Sequence, residues 1–297
     1  MNLKKKSLTL SLCKKQKNIK YKALFTYIDS IEDLSFLNKE LLQKPFLGLD
    51  TEFRRTTKDN MRLALLQVND GEDIYLIDAI SINDPEGNCD FLFSDSVKKI
   101  FHSCKEDLEA IHSWTGNIMK NLFDTQLANA FLNGQFSIGY QALVEQEMEI
   151  VLNKNETRSN WIRRPLSDSQ LKYASLDVEY LIHLYNAQKE ELISTPKMGW
   201  HDQEIDKLLE VTFNPTVHKD IERIITRAEE TDILFKFNKT VEKISKREEI
   251  NPTLFFSKKA QKDFLRLVFK EGLEIASKEI TPWRSRLVKE DIINLLK

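Results

Sequence analysis

The sequence has 297 residues, 41% hydrophobic and 30% charged, enough for about two domains at roughly 150 residues each. No apolar run approaches the ~20 residues that a membrane helix needs, and Cys13, Cys89 and Cys104 are scattered, odd in number and without a CxxC pair. That usage argues against a zinc knuckle or disulfide framework and suits a reducing cytoplasm. The net charge of −2 conceals an asymmetry: residues 1–22 carry eight lysines and no acid, whereas 23–200 hold 28 acidic against 17 basic side chains.

The lysine-rich arm, residues 1–22, has two readings: a segment that attracts a polyanion, or a solvated terminus. Its short apolar stretch, Ser7–Leu12, is interrupted by polar residues and runs into Lys14 and Lys15, unlike a secretory leader. Tyr27–Leu42 reads as a helix, with Ile31, Leu34, Leu37 and Leu41 at helical spacing. Phe46–Phe53 reads as a buried strand, and Arg62–Val68 and Ile74–Ile77 as two more around the turn Asn69-Asp70-Gly71, an antiparallel meander. Lys99–His102 is strand-like and Glu106–Trp114 helical. Helical patterns then dominate in Asp124–Leu132, Ile138–Glu147 and Ser167–Glu191. Pro196 and Gly199 break the pattern, and residues 201–297 repeat apolar positions at helical spacing, with Pro252 and Pro282 at expected helix starts.

Three groups of residues carry chemistry. Asp50 and Glu52 lie two apart in an apolar strand, so both carboxylates share one face. Such a pair resists burial unless a cation compensates it. Tyr173 and Asp177 lie four apart in a helical segment, one turn from each other. Between these groups, His102 through Asp107 carries an aspartate into the first turn of a helix, where its charge also suits the helix dipole. An acidic centre of this kind suits divalent cations.

In their order and content, Asp50-Thr51-Glu52-Phe53, Phe101-His102-Ser103 through Asp107-Leu108-Glu109, and Tyr173 through Asp177 resemble the three exonuclease motifs of the DEDD superfamily, tyrosine subtype. The text between them is similar to the RNase D family: Asp124-Thr125-Gln126, Arg158-Ser159-Asn160-Trp161 and Arg164-Pro165-Leu166. The resemblance spans roughly residues 45–190. It implies an RNase H-like α/β fold with a mixed sheet, and a site of Asp50, Glu52, Asp107, Tyr173 and Asp177 holding two divalent cations, Mg²⁺ or Mn²⁺. Asp50 is expected to bridge both cations, Glu52 and Asp177 to complete one position and Asp107 the other. Tyr173 would orient the attacking water. Arg54, Arg55, Arg158, Arg163 and Arg164 are candidate phosphate contacts, and Trp161 a candidate stacking surface. His102 reads as a satisfied core histidine and Cys104 as structural.

Residues 253–296 resemble, more loosely, the helical HRDC module at the end of RNase D, and the stretch before them is too short for a first full module. The expected organisation is therefore a basic arm (1–22), an exonuclease domain (23–195) and an all-α HRDC-like region (200–297). The expected function is hydrolysis of RNA 3′ ends to 5′-mononucleotides by a monomer, as in tRNA precursor maturation. The alternatives are a DNA-directed exonuclease and a non-catalytic RNA-binding protein.

Overall fold

The computed structural model describes residues 5–7, 24–57, 60–152, 159–214 and 222–295. Most of the basic arm, Cys13 and Arg158 lie outside these residues. Among the described residues, seven strands form one mixed sheet: β1 (Lys5–Ser7), β2 (Leu24–Ile28), β3 (Phe46–Thr57), β4 (Asn60–Asn69), β5 (Ile74–Asp78), β6 (Lys98–Phe101) and β7 (Leu122–Asp124), in the order β1-β2-β5-β4-β3-β6-β7. The meander β3-β4-β5 is antiparallel, as the turn signals predicted, while β2 runs parallel to β5, and β6 parallel to both β3 and β7.

Where the sequence suggested one helix over 27–42, the chain forms β2 and then α1 (Ile31–Leu41). Aromatic and β-branched residues, Phe25 to Ile28, favour a strand once β5 offers a ladder. Ser30 then starts the helix by accepting the Asp33 amide. The three-residue β7 carries too short a pattern to be read from sequence. Between β6 and β7 lies α2 (Lys105–Thr115), ended by Gly116 in the left-handed region at φ 68°.

Helices α3 (Thr125–Phe131) and α4 (Tyr140–Met148) follow, and then the predicted long helix over 167–191 divides into α5 (Asp168–Glu179) and α6 (Leu181–Ile193). Side chains make the break. The Tyr140 hydroxyl accepts the Tyr180 amide at 3.0 Å, and the Asn69 amide group donates to the Val178 and Glu179 carbonyls at 3.0 and 3.1 Å. Those carbonyls are the ones a helix end leaves unpaired. The corner also depends on Gly48 of β3: a Cβ there would stand 3.0 Å from Leu181 Cβ and 3.4 Å from the Val178 carbonyl.

The remaining helices are α7 (Lys197–Phe213), α8 (Arg227–Glu248), α9 (Pro252–Phe255), α10 (Lys258–Glu271), α11 (Leu273–Lys278) and α12 (Pro282–Leu295). Two compact units result, one of 1–125 with 139–187 and one of 126–138 with 188–297. This division departs from a single cut at 195–200. Residues 126–138 join the helical unit because Asn251 donates to the Ala130 and Gly134 carbonyls, both at 2.9 Å, and the Phe131 ring meets Trp283 edge-on at 5.3 Å. Trp283 in turn stacks on Trp200 at 5.1 Å and packs on Phe255. Among the described residues, no helix is long and apolar enough to cross a membrane.

Candidate active site

Asp50 and Glu52 sit in the middle of the sheet on β3, opposite Gln67 and Leu65 of β4. Immediately afterwards the ladder slips, because Phe53 faces Leu63 and Ala64 has no opposite residue. An extra residue of this kind bends a strand and often accompanies a functional site. Asp107 enters from the first turn of α2, where the Thr51 hydroxyl donates to its Oδ1 at 2.5 Å. The approach of α2 is set by Asp124 at the end of β7. Its carboxylate accepts the Ser103 amide at 3.0 Å and the Cys104 amide at 2.8 Å, and Ser103 turns through a left-handed φ of 65°.

Tyr173 and Asp177 occupy neighbouring turns of α5, which starts with a reciprocal capping box between Ser167 and Gln170. The Asp177 carboxylate acts electrostatically on the Tyr173 phenol. Tyr140 secures the end of this helix: its hydroxyl donates to the Leu176 carbonyl at 3.1 Å while accepting from Tyr180. His102 reaches Thr125 Oγ1 with Nδ1 at 2.9 Å and meets the Tyr140 ring edge-on.

Burial raises all four acids. Asp50 is held well above the usual carboxylate range by burial and then by Asp107, Asp177 and Glu52. Glu52 is pushed up to about 9 by burial and by Asp177 and Asp107. Burial also raises Asp107 and Asp177, against the lowering effect of the hydroxyls of Thr51 and Tyr173 respectively. Burial, followed by Asp177 and Glu52, pushes the Tyr173 phenol up as well. Asp107 is buried, whereas Asp50, Glu52, Tyr173 and Asp177 keep part of their surface open. Among the described residues, no three His, Cys, Asp or Glu side chains stand closed around one point as a ready-made metal cage. The donor set nevertheless fits hard divalent cations: it is all oxygen, and its charged form is opposed by burial and mutual repulsion that a cation would relieve.

The basic and aromatic candidates separate sharply. Arg54 is exposed and lines a cavity of about 340 Å³ with Phe53, Ser159, Asn160, Trp161 and Ile162. Arg163 is exposed too. Arg55 instead lies against α2, 2.5 Å from Glu109 and 3.5 Å from Glu106. Trp161 is only 5% exposed and packs on the Tyr173 ring at 6.1 Å, so it is a wall of the cavity and not an open stacking platform. Arg164 is corrected outright. Its guanidinium forks onto Asp78 and also donates to the carbonyls of Ala64, Trp161 and Arg163, so all five N–H groups are taken up by bonds within the protein. Cys104 is a buried thiol, raised by burial and Asp124. Sequence reading did not single out Thr51, Asp78 or Tyr140, and gave Asp124 no role; none of these belongs to a spacing pattern that announces one.

The mixed sheet with clustered acids, followed by helices, defines a nuclease-like class of fold. The 3′-5′ exonuclease family matches residues 25–193, more than half of the chain, and this chain belongs to that family. A curated relative, Ribonuclease D of Shewanella sp., is 35% identical over 188 residues, which are 63% of this chain and 48% of the relative. The chain spans about half the length of the curated relatives it matches. In fold it is similar to the crystal structure of Escherichia coli RNase D, with a TM-score of 0.61, 24% identity and coverage of 91% of this chain and 74% of that one. It is also similar to Brucella melitensis NrnC solved with bound Mg²⁺, with a TM-score of 0.53, 20% identity and coverage of 63% and 93%.

Proposed function

We propose that this chain is a 3′→5′ exoribonuclease of the RNase D type, releasing 5′-mononucleotides from RNA 3′ ends, with tRNA precursors as substrate. It would work as a monomer in the cytoplasm. What supports the reading is the electrostatic influence that Asp50, Glu52, Asp107 and Asp177, carried by β3, α2 and α5, exert on one another, with Tyr173 one helical turn before Asp177. Two divalent cations, Mg²⁺ or Mn²⁺, would be held by those four carboxylates, and when bound they supply Lewis acidity at phosphorus and neutralise developing charge.

The chain's own groups have separate tasks. Tyr173 keeps its proton, because burial and adjacent acids raise its phenol. It therefore orients the attacking water by hydrogen bonding and does not act as a base. Thr51 fixes Asp107 through its hydroxyl. Arg54 and Arg163, both exposed, meet phosphates, and the cavity beside Arg54 receives a nucleotide near the RNA 3′ end.

Digestion of 3′-extended tRNA, and of matched RNA and DNA oligonucleotides, tests the proposal at nucleotide resolution. The intact protein with Mg²⁺ should shorten RNA stepwise from the 3′ end, and EDTA should stop it. Asp50→Asn and Asp177→Asn should bind RNA without cleaving it. A clear preference for DNA, or undiminished cleavage by Asp177→Asn, overturns the reading.

A further inference from the structure

Outside the acidic site, Asp78 and Arg164 form a densely bonded polar cluster. Asp78 closes β5 with its side chain 2% exposed. Its carboxylate accepts the Tyr27 hydroxyl at 2.8 Å, the Ser81 hydroxyl at 2.8 Å, the Ile80 amide at 2.9 Å and the Ser81 amide at 3.3 Å, besides the two-pronged Arg164 fork. Arg164 spends its other three N–H groups on backbone carbonyls. One belongs to Ala64, the unpaired residue of β4 that follows from the slip at Glu52/Phe53. The other two belong to Trp161 and Arg163, in the segment that leads into α5.

One residue therefore joins three things: the end of β5, the irregularity beside the acidic pair, and the backbone of Trp161. The Trp161 ring lies against Tyr173, and Tyr173 stands one turn of α5 before Asp177. A planar fork fixed at both ends holds an angle that a flexible point charge would not. We propose that Asp78 and Arg164 are positioning residues for Tyr173, acting through the Trp161 backbone and ring, and that Arg164 makes no contact with RNA. The inference rests on the site reading above, in which Tyr173 orients water.

The test is a double-mutant cycle on RNA-oligonucleotide cleavage with Mg²⁺, using Arg164→Lys, Asp78→Asn and Tyr173→Phe in the full chain, with circular dichroism and thermal melting as folding controls. Asp78→Asn keeps an oxygen for the Ile80 and Ser81 amides, so it carries the test if Arg164→Lys does not fold. A misplacement of this kind is expected to lower kcat about tenfold or more, with KM within about twofold. In the Tyr173→Phe background the same substitutions should lower kcat by less than about twofold further, because they act through the group already removed. A full additional loss in that background overturns the inference and leaves the site reading standing. A raised KM at unchanged kcat also overturns it, by placing Arg164 on the RNA. If Tyr173→Phe alone leaves the rate unchanged, the site reading and the inference fall together.

Discussion

Gly48 offers a sharp test of how the acids are brought together. It lies two residues before Asp50, and the Val178 carbonyl it faces follows directly on Asp177. In Gly48→Ala two effects compete. Removing a glycine reduces the freedom of the unfolded chain, a gain of about 0.4–1 kcal/mol where the backbone accepts alanine. The new methyl, however, stands 3.0 Å from Leu181 Cβ, a neighbour fixed to the helix backbone, so the α5–α6 corner itself must retreat by several tenths of an ångström. Overpacking of this type costs about 1–3 kcal/mol, so destabilisation of about 1–2 kcal/mol should win. At about 2–4 °C per kcal/mol, this unit should melt about 2–8 °C lower. The retreat also carries Asp177 away from Asp50, so the cleavage rate at 20 °C should fall about tenfold or more while the protein is still fully folded. Thermal melting and RNA cleavage on the same preparation read both. An alanine variant with unchanged melting and rate would refute the claim that the empty space at Gly48 sets the separation of the two carboxylates.

Glu52→Gln should abolish cleavage and yet raise the melting temperature of the metal-free protein at pH 8. The folded state raises the Glu52 carboxyl from 4.5 to about 9, so the folded form holds its proton more tightly, and metal-free stability declines as pH rises from about 4.5 through about 9. A glutamine variant whose melting temperature falls with pH as steeply as wild type would contradict this. Arg54→Ala should raise KM for RNA and flatten the dependence of binding on salt by about one phosphate contact, measured by fluorescence anisotropy across a salt series. Trp283→Ala should cost the helical unit about 3–5 kcal/mol, because the ring is 1% exposed and packed by Trp200, Phe131 and Phe255; differential scanning calorimetry would show the loss.

Spacing alone put Asp50 with Glu52 on one strand face and Tyr173 with Asp177 on one helix face; it was the order of the three groups, through their resemblance to the exonuclease motifs, that pointed to a single site. The meander was legible because the turn signal Asn69-Asp70-Gly71 sits between two short β-type runs, Arg62–Val68 and Ile74–Ile77. What escaped was decided by distant partners. Phe25–Ile28 is a strand because β5 is there to pair with it, and α5 stops because Tyr140 and Asn69 intervene from elsewhere in the chain. The arginines show the limit most clearly. Arg163 and Arg164 are adjacent and identical in letter, but one is exposed and the other has all its donors committed inside. Nothing local distinguishes them; an aspartate 86 positions away does.

The segment at 126–138 has a practical corollary. A chain shortened to end near residue 195 would keep α3 but lose Trp200, Asn251 and Trp283. Phe131, now 0% exposed, would be left with its ring in water and the Ala130 and Gly134 carbonyls without their amide donors. Excising the nuclease half for study thus means trimming or repolarising an internal stretch as well as choosing an endpoint. A simple deletion should come out of expression sticky, from a newly bared aromatic face far along the sequence from the cut.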